Sequence, residues 1–349
     1  MAKKALIFGA GLAGTCLAHR LLSSGIEVKI VDQGSNYSSA VAAGMVNPMV
    51  FRRMNKSWRL DEFLPEAQAF YLEMEELLQT QFYHPIVIRR FFAADEERES
   101  WQSRSADEAY QPYLEELTTA DLENTAALNT FGSGRVKNAF WIDAAKWVDH
   151  QMAYFNQRGV LEQKEFSAQL WEPQLRKYDG ETYDFVIFCM GYRQKEEATF
   201  AYLPLQQTKG QTLLVESKLL ESEESLNRKC FVLPYGNGRF RVGATYEFNN
   251  ATLHATEEGK VQLLQSLATL GAYEPIVIDQ IAGIRPTVLD RRPLMGQHPT
   301  HQGVYVFNGL GTKGYMMAPT LARELVAHML ENKPLHSETN ISRFTDRTL

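Results

Sequence analysis

Cysteine is scarce in this sequence. There are three in 349 residues, Cys16, Cys189 and Cys230, widely spaced and odd in number. That excludes a disulfide framework and gives no paired thiolates for a metal, so a reducing compartment, the cytoplasm, is the expected setting. Long apolar runs are missing too, and without a stretch of about eighteen apolar residues no membrane-spanning helix is expected. Basic charge is not in excess. With 36 Lys and Arg against 42 Asp and Glu the net charge is −6, which gives no electrostatic footprint for bulk nucleic-acid binding but leaves a local basic patch open. Internal repeats and low-complexity tracts are absent. What remains is an ordinary globular composition, 44% hydrophobic and 22% charged, in a length that suits two domains better than one.

The most informative stretch is the N-terminus. An apolar run over 4–8 leads into Gly9, Gly11 and Gly14 at G-x-G-x-x-G spacing. A helical run to Ser24 follows, then a second apolar run that ends in Asp32. This is a βαβ unit with a dinucleotide-binding fingerprint. Gly9 permits the tight turn, Gly11 lets the backbone approach a pyrophosphate, and Gly14 lets helix and strand pack closely. The pyrophosphate sits on the helix N-terminus, where free N–H groups and the dipole favour negative charge. Asp32 can accept bonds from ribose hydroxyls. The alternative is an ordinary βαβ turn whose glycines serve packing, and the spacing does not separate NAD from FAD. Lys3 and Lys4 before an apolar run mimic a secretory leader, but the glycines and His19-Arg20 break it.

Further on, 33–39 reads as a polar loop, and the small residues of 40–49 let the backbone approach a flat ligand. Ser57 is expected to cap a helix over 58–81, with Leu60, Phe63, Leu64, Ala67, Phe70, Tyr71, Met74, Leu77 and Leu78 as its core stripe. Strands are expected at 85–92 and 134–142, with an acidic helical or loop segment between. Asp143 caps a helix to about 158. Short strands at 160–166, 169–178 and 183–189 follow, with Asp179-Gly180 as a hairpin signal. A β-rich insertion holds strands at 211–216, 230–234 and 239–245, then a helix over 256–270 and a strand over 276–282. The tail returns to α/β character: a strand at 304–307, a glycine-rich loop over 308–314 and a helix over 315–330.

Four blocks, 9–32, 38–48, 184–191 and 283–319, together resemble the D-amino-acid-oxidase-like FAD oxidoreductases. The best neighbours are glycine and sarcosine oxidases, and the oxidase half of the bifunctional enzyme that trims carboxymethylaminomethyl-uridine in tRNA. The resemblance implies an α/β fold, with a Rossmann-like FAD-binding domain (1–83, 142–203 and 286–335) and a discontinuous β-rich substrate domain (84–141 and 204–285). Residues 336–349 form a tail. It implies FAD held by Gly9, Ala10, Gly11, Leu12, Ala13, Gly14, Asp32 and Gln33 around the ADP half. Ser38, Ser39, Ala43, Gly44 and Met45 would line the pyrophosphate and isoalloxazine, Phe166 the adenine and Gly191 the adenosine side. Gly311, Thr312, Lys313, Gly314, Tyr315 and Met316 would approach the flavin's pyrimidine edge. The C-terminal loop has no cysteine like the one that tethers flavin in sarcosine oxidases, so noncovalent FAD is expected.

In glycine-oxidase-like enzymes the arginine matching Arg285 clamps the substrate carboxylate. A planar guanidinium grips a carboxylate in bidentate fashion and fixes the Cα–H bond over the flavin; the alternative is a pair with a nearby acid such as Asp290. Backbone N–H groups and the dipole of the helix after 309–314 favour the negative charge that reduction creates. Lys313 either adds to that or is a solvated loop lysine. Where glycine oxidases carry a second arginine in this loop the chain has Thr312, a pattern closer to the tRNA-modifying oxidase. The fingerprint begins at residue 9, so no methyltransferase half is expected before it. Tyr246 and Arg52 are pocket candidates, with structural roles as the alternative.

The implied activity is oxidation of the C–N bond of an amino acid or N-substituted glycine, by hydride transfer to flavin N5 and imine hydrolysis. Oxygen or another acceptor then reoxidises the flavin. The alternatives are an oxidase of a carboxymethylaminomethyl-modified tRNA base, and a flavoprotein that binds FAD without turnover.

Overall fold

The computed structural model describes residues 2–35 and 38–347. Asn36 and Tyr37 of the expected polar loop, and the last two residues of the tail, lie outside the described residues.

The Lys4–Phe8 strand has its apolar residues buried on both faces, as a central parallel strand must. It pairs in parallel with Glu27–Asp32 on one side and Phe185–Phe188 on the other. Leu161–Gln163 and Val304–Asn308 extend the sheet in parallel, and antiparallel Leu294–Gln297 closes one edge. Parallel pairing brings Phe8, Asp32, Phe188 and Asn308 to a common carboxyl edge, where open α/β sheets bind ligands. Gly14 is required here: a Cβ on it would lie 1.8 Å from the Gly9 carbonyl oxygen.

Helices Leu12–Ser23, Leu60–Leu78, Ala144–Gln157 and Gly314–Glu331 share a core with this sheet that includes Cys16, Leu17, Phe63, Phe70, Tyr71, Trp147, Phe155 and Leu321. Each such side chain contributes about 1.5–3 kcal/mol by leaving water. The Tyr71 hydroxyl donates to the Tyr315 carbonyl at 2.8 Å, which ties the first turn of the Gly314–Glu331 helix to the core.

A nine-stranded, largely antiparallel sheet makes the second layer. It runs Glu247–Phe248, Leu205–Glu216, Arg239–Gly243, Phe231–Pro234, Ser225–Asn227, Tyr83–Phe91, Ser133–Ile142 and Met45–Val46, with Ile276–Val288 paired along Leu205–Glu216.

Several sequence expectations change. Ser57 does not cap the helix, which begins at Leu60 with Arg59 at the cap position; its hydroxyl instead accepts a bond from Lys313. The strand expected over 169–178 is broken by helical turns at Ala168–Leu170 and Pro173–Leu175, where Pro173 fits a first helical position. Asp179-Gly180 does turn a hairpin, with φ of 48° and 84°, but it joins Lys177–Tyr178 to the two-residue strand Glu181–Thr182. The strand expected over 276–282 runs on to Val288, so Arg285 is a strand residue. Ser225–Asn227 was not expected, being too short to carry a period. Among the described residues no helix is long and apolar enough to cross a membrane.

Candidate active site

A cavity of about 640 Å³ runs between the two sheets, across the carboxyl edge of the parallel one. Volumes of this order suit a cofactor or small ligand. Two helix N-termini reach it. Gly11, Leu12 and Ala13 line it at the start of Leu12–Ser23, and Gly311 to Gly314 line it at the start of Gly314–Glu331. Both ends present backbone N–H groups and positive dipole to whatever fills the space.

Around the first helix the polar groups converge. The Asp32 carboxylate accepts the Ala10 N–H at 2.6 Å and the Gly34 N–H at 2.7 Å, which fixes the fingerprint turn against the second strand. The Ser39 hydroxyl accepts the Leu12 N–H at 2.9 Å. Gln33, Phe166, Gly191 and Arg193 line the cavity on this side. Arg193 donates to the Gln33 side-chain oxygen and to Glu165 at 2.6 Å. Phe166 lies parallel to Tyr178 with centroids 5.9 Å apart.

At the other end Arg285 is held inside the second sheet. Its guanidinium makes two long bonds, to the carbonyls of Lys209 (3.4 Å) and Thr245 (3.3 Å), and lies 4.8 Å from the Tyr246 ring centroid. No described carboxylate pairs with it; Asp290 is taken by Arg343 at 3.0 Å. Burial lowers the guanidinium's pKa, against a smaller raising effect from Tyr246. Gly210 makes room: a Cβ there would lie 2.1–2.3 Å from the guanidinium atoms.

Lys313 is tied down rather than solvated. Its ammonium donates to the Asn47 carbonyl at 2.7 Å and the Ser57 hydroxyl at 2.6 Å. It has no acidic partner among the described residues, and burial pushes its pKa down to about 8.

Of the residues expected from the sequence, Gly9, Gly11, Leu12, Ala13, Asp32, Gln33, Ser38, Ser39, Ala43, Gly44, Met45, Phe166, Gly191, Gly311, Thr312, Lys313, Gly314, Tyr315, Tyr246 and Arg285 all line this one cavity. Ala10, Gly14 and Met316 do not; they are buried behind it, Ala10 reaching it through the N–H it gives to Asp32. Arg52 is exposed on the helical turn Phe51–Arg53 and does not line the cavity. Sequence reasoning missed Arg193, Gly210, Thr212, Asn227 and Phe231, all of them cavity residues. Gly210 had a legible signal, since a glycine inside a strand marks close approach of another group.

A dinucleotide fingerprint on a parallel sheet, two helix N-termini and a partly buried cation in one cavity define a dinucleotide-binding protein. The family model "DAO: FAD dependent oxidoreductase" matches residues 4–328, and the chain belongs to that family. FAD fits the residues present: the cavity is long enough to touch both helix ends, and both ends favour an anion.

Among relatives, the chain is 22% identical to the tRNA 5-methylaminomethyl-2-thiouridine biosynthesis bifunctional protein MnmC of Saccharophagus degradans; the match covers 97% of this chain and 54% of that protein. It thus spans about half the length of that relative. It is also 22% identical to the uncharacterized oxidoreductase YurR of Bacillus subtilis, over 94% and 95% of the two chains. Its fold is that of glycine oxidase from Geobacillus kaustophilus, with a TM-score of 0.80 at 19% identity over 98% of each chain.

Proposed function

We propose that this chain oxidises the C–N bond of an amino acid or N-substituted glycine, with Arg285 as the carboxylate anchor. The observation that carries the reading is a partly buried guanidinium that lines the cavity with only two long carbonyl bonds and, among the described residues, no acid beside it. A buried charge without a counter-ion is costly, and a bound carboxylate supplies one.

FAD, when bound, supplies the two-electron acceptor for the oxidation. The chain's own residues do the rest. Arg285 fixes the acid group, and with it the carbon next to nitrogen. Gly210 leaves the guanidinium its space. The N-terminus of Gly314–Glu331 and Lys313 put positive potential on the cavity, where negative charge is stabilised. Gly9, Gly11, Leu12, Ala13, Asp32, Gln33, Ser38 and Ser39 would hold the cofactor at the other end. No dedicated general base is required when the amine binds neutral. The imine left by loss of two electrons and two protons takes up water and releases a carbonyl compound and an amine.

The test is anaerobic loss of the visible flavin absorbance on adding glycine, sarcosine and D-amino acids to the FAD-loaded protein. Bleaching by one or more of them is expected; a spectrum unchanged by every amine defeats the proposal. A second reading, an oxidase of a carboxymethylaminomethyl-modified tRNA base, is supported by the 97% coverage of this chain in its match to MnmC. Bleaching by such a tRNA alone, with salt-sensitive binding, selects it.

A further inference from the structure

The register of the second sheet decides what surrounds Arg285. Leu205–Glu216 lies between Ile276–Val288 and Glu247–Phe248, and Thr208 stands opposite both Arg285 and Phe248. Residues in register share a face, so Arg285, Thr208 and Phe248 project on the same side. That side is the cavity side: Gly210 and Gly283, one step along the same face, line it.

Two large rings stand exposed there. Tyr246 is 48% exposed and lines the cavity beside Arg285; Phe248 is 67% exposed just beyond it. Their ring centroids are 5.5 Å apart. Single exposed apolar residues need no explanation, but adjacent rings at a cavity mouth mark a contact surface. The segment is also held from behind. Glu247 projects to the opposite face, where its carboxylate accepts bonds from Gln211 at 2.8 Å and Asn250 at 2.9 Å. The rings are therefore presented by a pinned strand rather than by a loose loop, and little order remains to be gained on binding.

We propose that Tyr246 and Phe248 form a ring-binding subsite, selecting an N-substituted glycine whose nitrogen substituent carries a planar ring over one that carries only hydrogen or methyl. The inference rests on the function proposed above for Arg285. The acid group enters to the guanidinium, and the substituent extends outward over the two rings. Phe248 acts as a specificity residue through this contact alone.

The experiment compares N-benzylglycine with sarcosine in the FAD-loaded wild type, Phe248→Ala and Phe248→Tyr. Binding is read by calorimetric titration under anaerobic conditions, and turnover by kcat and KM. The wild type is expected to bind N-benzylglycine more tightly. Phe248→Ala is expected to cut the N-benzylglycine-to-sarcosine affinity ratio about 3–10-fold, the range of one aromatic contact. The loss should fall in KM rather than kcat, and Phe248→Tyr should restore it. An unchanged ratio in Phe248→Ala, or a wild type that binds both ligands equally, overturns the subsite. Binding without turnover of either ligand leaves the titration as the test of the rings and counts against amine oxidation instead.

Discussion

Replacement of Arg285 by methionine should weaken function while leaving the fold no less stable, and the two effects can be worked separately. In the substrate-free protein the guanidinium is partly buried, with bonds of 3.3 and 3.4 Å to carbonyls and one ring contact. Desolvating such an ion costs several kcal/mol. The long bonds and the ring contact return about 1 kcal/mol each at most. An apolar side chain of similar volume removes both sides of that balance, so Arg285→Met should leave stability unchanged or raise it by about 1–2 kcal/mol. With a carboxylate bound the sign reverses. Truncating one partner of a buried, hydrogen-bonded charge pair costs about 2–5 kcal/mol. At about 1.4 kcal/mol per decade, the substrate concentration for half-saturation should rise by about one and a half to three and a half orders of magnitude. The assay is paired: thermal melting of the FAD-loaded, substrate-free protein, and substrate titration of the anaerobic flavin signal. A variant that melts several degrees lower yet saturates like the wild type would show that Arg285 supports the sheet and grips nothing.

Three further outcomes follow from the same geometry. Gly14→Ala places a Cβ 1.8 Å from the Gly9 carbonyl oxygen; overpacking of this kind costs about 1–3 kcal/mol or more, and it should lower the melting temperature and the FAD content of purified protein together. His19 is buried beside Tyr154 and Phe155 and donates from Nε2 to the Gln151 side-chain oxygen at 2.7 Å, and burial holds its pKa at about 4. The unfolded chain takes up a proton there near pH 6.5 and the folded protein does not, so stability falls as pH drops from about 6.5 to 4, by about 3 kcal/mol in all. His19→Gln should flatten that part of the denaturant-midpoint profile against pH. Lys313, with its pKa near 8, loses its charge as pH rises through that value; binding of an anionic ligand such as acetate to the substrate cavity should weaken above pH 8 in the wild type and stay flat there in Lys313→Met.

How much of the molecule is legible in the chain depends on how far apart the cooperating residues lie. The fingerprint turn is local: Gly9, Gly11, Gly14 and Asp32 fall within one βαβ unit, and their spacing carries the chemistry without any other part of the chain. Asp143 is equally local, its carboxylate accepting the Lys146 N–H at 3.2 Å to open the Ala144–Gln157 helix. Ser57 misleads because its hydroxyl is claimed by Lys313, 256 positions away. The extension of the 276–288 strand also depends on a distant partner, since Leu205–Glu216 pairs along it as far as Val288.

The sequence by itself determined the cofactor turn, the long helices and the central parallel strands, and the residue types able to bind an anion. Only the tertiary structure decided that Arg285 stands apart from Asp290, that Lys313 is tethered to Asn47 and Ser57, and that Tyr246 and Phe248 face outward beside the guanidinium. Composition and spacing fix what a side chain can do. Strand register and burial fix which partners it meets, because pairing across a sheet joins segments whose separation along the chain carries no information about their contact.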